Sequence, residues 1–149
     1  MLVKIRSIAN IGLETVPVDV EVDVASSGFP GFTIVGLASK AVEEARERVK
    51  TAIINSKLDF PPRKITVNLA PADLPKDGAA YDLPIAIGVL LASSQLTLPI
   101  GFDLTKSFFY GELSLDGTLR PTKGILLLGL FAQKNGRGSL IFVPKPSAA

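Results

Sequence analysis

Valine occupies every second position from Val16 to Val24, and Pro17, Asp19, Glu21 and Asp23 fill the places between. Period-two alternation of this kind predicts a strand with one buried face and one acidic, solvated face. Pro17 has no N–H for a ladder, which favours the start of a strand or a sheet edge. Ser26 to Gly31 reads as a turn, Phe32 to Val35 as a second strand, and residues 2–9 as an earlier one. The period then changes. Val42, Ala45, Val49, Ala52 and Ile53 recur at helical spacing, so one helix capped by Ser39 is expected to run to about Ser56. Glu44–Arg48 at i,i+4, with Glu43–Arg46 and Glu47–Lys50 at i,i+3, are expected to lace its outer face.

Phe60-Pro61-Pro62 interrupts the chain before a β-patterned run from Ile65 to Leu69. Pro75-Lys76-Asp77-Gly78 follows, and then a run from Leu83 to Ala92 that is apolar nearly all round. This is a strand–loop–helix junction, with Asp82 as expected N-cap and Pro84 in the first turn. A helix without a polar face belongs between layers. Phe108 to Leu115 and Leu119 onward read as hairpin arms joined by a two-residue turn at Asp116-Gly117. A helix over Gly124 to Lys134, ended by Asn135-Gly136, and a strand over Ser139 to Val143 complete the pattern.

With 149 residues, 47% of them hydrophobic and 20% charged, the chain is expected to form a single ordered α/β domain spanning 1–149. Mean hydropathy is +0.38, yet the longest apolar run is far shorter than the roughly 20 residues of a membrane span. The first residues carry Lys4 and Arg6 without a continuous apolar stretch, so no signal peptide and a cytoplasmic location are expected. Cysteine and histidine are both absent. That excludes disulfides, thiolate metal sites, cysteine nucleophiles and any triad built on histidine; no metal ligands are assigned. The tail from Pro144 to Ala149 lacks a closing element and reads as a cut within a longer protein.

The formal net charge is only +2, but the basic residues gather in the middle. Lys40, Arg46, Arg48, Lys50, Lys57, Arg63 and Lys64 face only Glu43, Glu44, Glu47 and Asp59 between residues 39 and 64. Arg46, Arg48 and Lys50, joined by Arg63, Lys64, Lys76, Arg120 and Lys123, are the candidates for a DNA-facing surface making sequence-independent phosphate contacts. The other reading of these charges is a solvated helix neutralised by its own acidic residues. Lys76-Asp77-Gly78 likewise has two readings. One is an anion-binding loop at a helix N-terminus; the other is a structural turn in which Gly78 supplies the backbone conformation and Asp77 bonds local N–H groups.

GFTIVGLASKAVEEARERVKTAIINS (31–56), FPPRKITVNLAPADLPKDGAAYDLPIAIG (60–88) and GELSLDGTLRPTKGIL (111–126), taken in order, resemble the N-terminal domain of the Mg-chelatase-like AAA+ ATPases, the bacterial family that includes ComM and YifB. The resemblance covers nearly the whole chain. It implies a two-layer α/β (α+β) fold of the Lon protease-like, ribosomal-protein domain-2-like type, with Asn68, Lys76, Asp77, Gly78 and Asp82 in the family-motif loop. It also implies a neighbouring ATPase module, with its ATP and Mg, and a hexameric helicase that promotes DNA branch migration. The expected partners are that module, neighbouring subunits and DNA, without a membrane. This chain holds no G-x-x-x-x-G-K-[ST] stretch, so no nucleotide cofactor is expected within it. The Pro-Lys-Asp-Gly loop resembles the active-site loop of Lon-type proteases, but Ala80 stands at the nucleophile position and Leu126 at the lysine position. Neither side chain can attack a carbonyl or move a proton, so no catalytic residue is assigned. The resulting expectation is a non-catalytic domain that supports ring assembly and guides DNA. The alternatives are an assembly or docking module without DNA contact and a cryptic peptidase using Lys123.

Overall fold

The computed structural model describes residues 1–120 and 140–142. Strands β1 (Leu2–Ile11), β2 (Glu14–Val24), β3 (Gly31–Val35), β4 (Lys64–Ala70), β5 (Ser107–Phe109) and β8 (Leu140–Phe142) form a mixed sheet in the order β3-β4-β2-β1-β5-β8. A small hairpin, β6 (Glu112–Leu113) with β7 (Leu119–Arg120), stands apart from it. Helices α1 (Lys40–Glu43), α2 (Ala45–Asn55) and α3 (Asp82–Ala92) supply the second layer, so the fold is two-layer α+β.

Register fixes the faces. Val18, Val20, Val22 and Val24 are buried, and Ile5, Val67, Leu69 and Ile65 sit beside them on β1 and β4 through the pairs Ile5↔Val20, Val22↔Val67, Val20↔Leu69 and Val24↔Ile65. α3 packs on β1 and β2, and α2 packs on α3 and β3. Gly88 lets α3 approach closely, because a Cβ there would lie 2.4 Å from Val22 Cγ2. The other sheet face carries Asp19, Glu21 and Asp23, opposite Arg6, Lys4 and Leu2. Glu21 accepts from Asn68 Nδ2 at 2.8 Å. Arg6 lies 4.5 Å over the Phe108 ring and donates to the Thr105 carbonyl. Pro17 pairs with Ile8 where β2 projects beyond β4, whose ladder begins at Asp19, so the missing N–H meets no second strand.

Several expectations need correction. The single helix over 39–56 is broken at Glu44 into α1 and α2. Arg48 Nη2 donates to the Ala41 carbonyl, the acceptor an unbroken helix would offer to Ala45, and Glu47 N–H bonds Glu44 instead. Ser39 does cap α1, accepting from Val42 N–H at 3.3 Å. Asp82 is the first residue of α3, not its cap; Tyr81 precedes it without a side-chain capping bond. The Asp116-Gly117 turn is a three-residue loop. Gly117 N–H closes a turn on Ser114, Ser114 N–H bonds Thr118, and Gly117 takes a φ of +91°. Phe108 and Phe109 are both buried and Tyr110 is half-buried. Among the described residues, Phe29, at 93% exposure, is the aromatic side chain that stands in solvent. The expected helix over 124–134 and its Asn135-Gly136 stop lie outside the described residues, as do Lys123 and Leu126.

Candidate functional site

Lys76 is 1% exposed. Its ammonium donates to the Gly36 carbonyl at 2.8 Å and to the Pro71 carbonyl, while its backbone bonds Leu37 and Ser39. One residue thus ties the loop after β3 to the segment after β4. Burial pushes its pKa below the ordinary lysine value, with Asp73 pulling weakly the other way. Asp77 accepts from Ser39 Oγ and from Gly78 N–H, each at 2.8 Å, and both bonds hold its carboxyl below the usual range. Gly78 has a φ of +89°. The Lys76 ammonium is turned to backbone carbonyls, and Asp77 to the Ser39 hydroxyl and the Gly78 N–H, which is the chemistry of a structural turn. Lys76 is therefore removed from the DNA-facing set. Ala80 is buried, and its carbonyl accepts from Gly111 N–H, while the Gly111 carbonyl accepts from Leu83 N–H.

Arg48 and Asp82 form the strongest polar contact between α2 and α3. Arg48 Nε and Nη2 donate to the two Asp82 oxygens at 2.7 and 3.1 Å, and Leu113 N–H adds a third bond at 3.1 Å. Asp82 is 0% exposed and the Arg48 side chain 19%. Desolvation pushes the Asp82 carboxyl up, and Arg48 and Leu113 pull it back; the bond to Asp82 holds Arg48 more firmly in its charged form. The fork matches the carboxylate bidentately, leaving Arg48 committed to the interior and unavailable to a phosphate. This is the second correction to the basic surface.

The remaining cations separate by helical geometry. Arg46, Lys50 and Ile54 stack on one flank of α2, whereas Arg48 lies about 200° further round from Arg46. On the Arg46 flank, α2, the start of β3 and the 58–63 segment enclose an open cleft of about 770 Å³. Arg46, Lys50 and Arg63 line it with two carboxylates, Glu47 and Asp59, together with Phe32, Phe60 and Pro62. The rings of Phe32 and Phe60 are 5.5 Å apart, and Lys50 Nζ stands 5.6 Å from the Phe60 centroid. Arg63 is positioned by a bond from Nη1 to the Ser26 carbonyl, and Arg46 by one from Nε to the Glu43 backbone carbonyl. The expected Glu43–Arg46 and Glu47–Lys50 pairs are not formed; among the described residues no carboxylate forms an ion pair with Arg46, Lys50 or Arg63. Glu44–Arg48 is present, at 3.8 Å.

Of the eight basic candidates, the structure brings together Arg46, Lys50 and Arg63. Lys64 opens β4 on the side of Thr66 and Asn68, away from the helices. Arg120 belongs to the β6–β7 hairpin, which meets α2 through Asn55 Nδ2 and the Leu115 carbonyl, across the helix from the cleft. Asn68 lies on the open sheet face, apart from the rest of its motif. Phe60 was read only as part of a chain break. Its position ten residues after Lys50 and three before Arg63 was the available signal.

Among the described residues there is no cluster of carboxylates able to hold a metal ion, and no helix long and apolar enough to cross a membrane. Residues 20–147 match the family model for subunit ChlI of Mg-chelatase. The chain is 49% identical to YifB of Escherichia coli over 133 residues, covering 89% of this chain and 26% of that protein. It is 47% identical to the competence protein ComM of Haemophilus influenzae over 137 residues, 92% of this chain and 26% of the relative. An uncharacterized protein of Mycobacterium bovis is 39% identical over 130 residues, 87% and 25% of the respective chains. The chain thus spans about a quarter of the length of these relatives. On the family match and these identities, it belongs to the Mg-chelatase ChlI-subunit family, among the ComM/YifB-type Mg-chelatase-like proteins.

Proposed function

We propose that this chain is a non-catalytic, Lon-like domain of a Mg-chelatase-like AAA+ ATPase, supporting a hexameric ring and guiding DNA over the cleft beside α2. ATP and Mg belong to an ATPase module outside this sequence. The observation that carries the DNA reading is the convergence of Arg46, Lys50 and Arg63 on one cleft, three cations against Glu47 and Asp59 in its lining, with none of the three in an ion pair among the described residues. Cations left unpaired by their own protein are available to phosphate oxygens, and such contacts track a backbone without reading its sequence. A relative called a competence protein is in keeping with a nucleic-acid partner. What supports the non-catalytic reading is Ala80 and Leu126 where the resemblance to Lon-type proteases would put the dyad, with neither histidine nor cysteine to replace them.

The test is fluorescence anisotropy of labelled single-stranded, duplex and four-way-junction DNA over a salt series. Binding should weaken steeply with salt. Arg46→Ala with Lys50→Ala should shallow the log–log slope by about two, near 0.9 per lost phosphate contact. Absence of binding at low salt, or a slope unmoved by the double variant, overturns DNA guidance by this cleft and leaves ring assembly as the domain's work.

A further inference from the structure

We propose that the cleft takes unpaired nucleic acid, with one base stacked on Phe60; this rests on the DNA reading above and specifies its ligand. The cleft combines two features that phosphate binding alone does not need. Its floor is apolar and aromatic, with Phe32 and Phe60 tilted 32° to each other and both rings half-buried, so each keeps part of its surface open. Its rim carries a cationic excess, with Arg46 and Lys50 one helical turn apart and Arg63 on the facing segment against Glu47 and Asp59. A backbone running along that rim places its bases toward the floor. This is the arrangement that holds single strands, a basic groove that tracks phosphates over aromatic platforms that accept any base.

Lys50 links the two halves. Its ammonium now stands off the Phe60 ring in a cation–π contact, an interaction that is weak at an exposed site. A phosphate on the rim competes directly for that ammonium, and the ring face it leaves is the surface a base would cover. Duplex DNA cannot use the floor. Its bases are already stacked and paired, and a cleft of about 770 Å³ has the size of a small-ligand pocket, not of a helix with grooves about 12 Å wide.

The experiment compares a dT oligonucleotide, the same backbone with abasic sites throughout, and a duplex of equal length, each titrated with the wild-type chain and with Phe60→Leu. Leucine keeps an apolar side chain at a half-buried position, and circular dichroism checks that the fold is retained. Wild type should bind dT roughly 5- to 150-fold more tightly than the abasic strand, the range for one stacked base. Phe60→Leu should remove that preference while leaving the salt slope unchanged. Equal affinity of wild type for dT and abasic strands overturns the stacking proposal but leaves the basic cleft standing. Duplex binding as tight as dT refutes the preference for unpaired strands. Failure of every oligonucleotide to bind at low salt refutes both readings together. The abasic comparison needs no variant, so it decides even if Phe60→Leu folds poorly.

Discussion

Arg48→Ala separates the structural reading of that residue from the DNA reading the sequence first suggested. The substitution leaves a carboxylate with 0% exposure holding one remaining donor, Leu113 N–H at 3.1 Å. Breaking a buried pair from one side costs about 3–5 kcal/mol, because the surviving charge is neither solvated nor paired. Against a typical domain stability of about 5–15 kcal/mol, that is about a fifth of the total or more. The penalty should also depend on pH, with a definite sign. The Asp82 carboxyl is already pushed up by burial, and losing Arg48 removes the main group pulling it down. A folded-state pKa raised above the unfolded value near 3.9 means the folded variant is least penalised below that value, where Asp82 is protonated in both states. The deficit then grows as pH rises through the folded-state pKa. Urea melts followed by far-ultraviolet circular dichroism at about pH 5 and about pH 8 should show the larger loss at the higher pH. Arg48→Met with Asp82→Leu should recover most of the loss, leaving chiefly the cost of an orphaned Leu113 N–H. A loss under about 1 kcal/mol at pH 8, or a fall in DNA affinity by the folded variant matching that of Arg46→Ala, would refute the assignment of Arg48 to the core.

Gly88→Ala pits helix propensity against packing. Alanine gains about 1 kcal/mol in a helix interior, but its Cβ would meet Val22 Cγ2 at 2.4 Å and Val22 Cβ at 3.0 Å on a buried central strand. Denaturation should show a net loss of about 1–2 kcal/mol, relieved in Gly88→Ala with Val22→Ala; a stabilised single variant contradicts the layer spacing. Lys76→Met should remove a rise of stability with pH. The depressed folded-state pKa of Lys76 makes the unfolded chain bind the extra proton between that value and 10.5, so wild-type stability climbs relative to the variant across this window. A constant difference between the two from neutral pH to about 10.5 would contradict the buried ammonium.

Much of the layer architecture was legible because it rests on periodicity. The valines of β2 alternate, the α3 run has no polar face, and both kinds of pattern commit side chains to a buried surface before any tertiary contact is known. The fate of individual charges was not legible. Arg46, Arg48 and Lys50 look alike in sequence, but two residues along a helix turn a side chain to the far flank, and only the position of Asp82 on α3 decides that Arg48 points inward. The break at Glu44 has the same origin, since Arg48 takes the Ala41 carbonyl on its way to Asp82. Lys76 looked like a free loop cation because sequence does not show that the Gly36 and Pro71 carbonyls converge on it. The cleft was half visible. Its cations were named, whereas Phe60 read only as a stop, because a Phe-Pro-Pro run signals broken structure and says nothing of what the ring will face.

The most direct test of the account is an amide NMR titration of this chain with a dT oligonucleotide at low salt. The account predicts shift changes centred on Arg46, Lys50, Ile54, Phe60 and Arg63, with Lys64 and Arg120 left quiet. Changes centred on Lys64 or Arg120, or none anywhere along the chain, would contradict it.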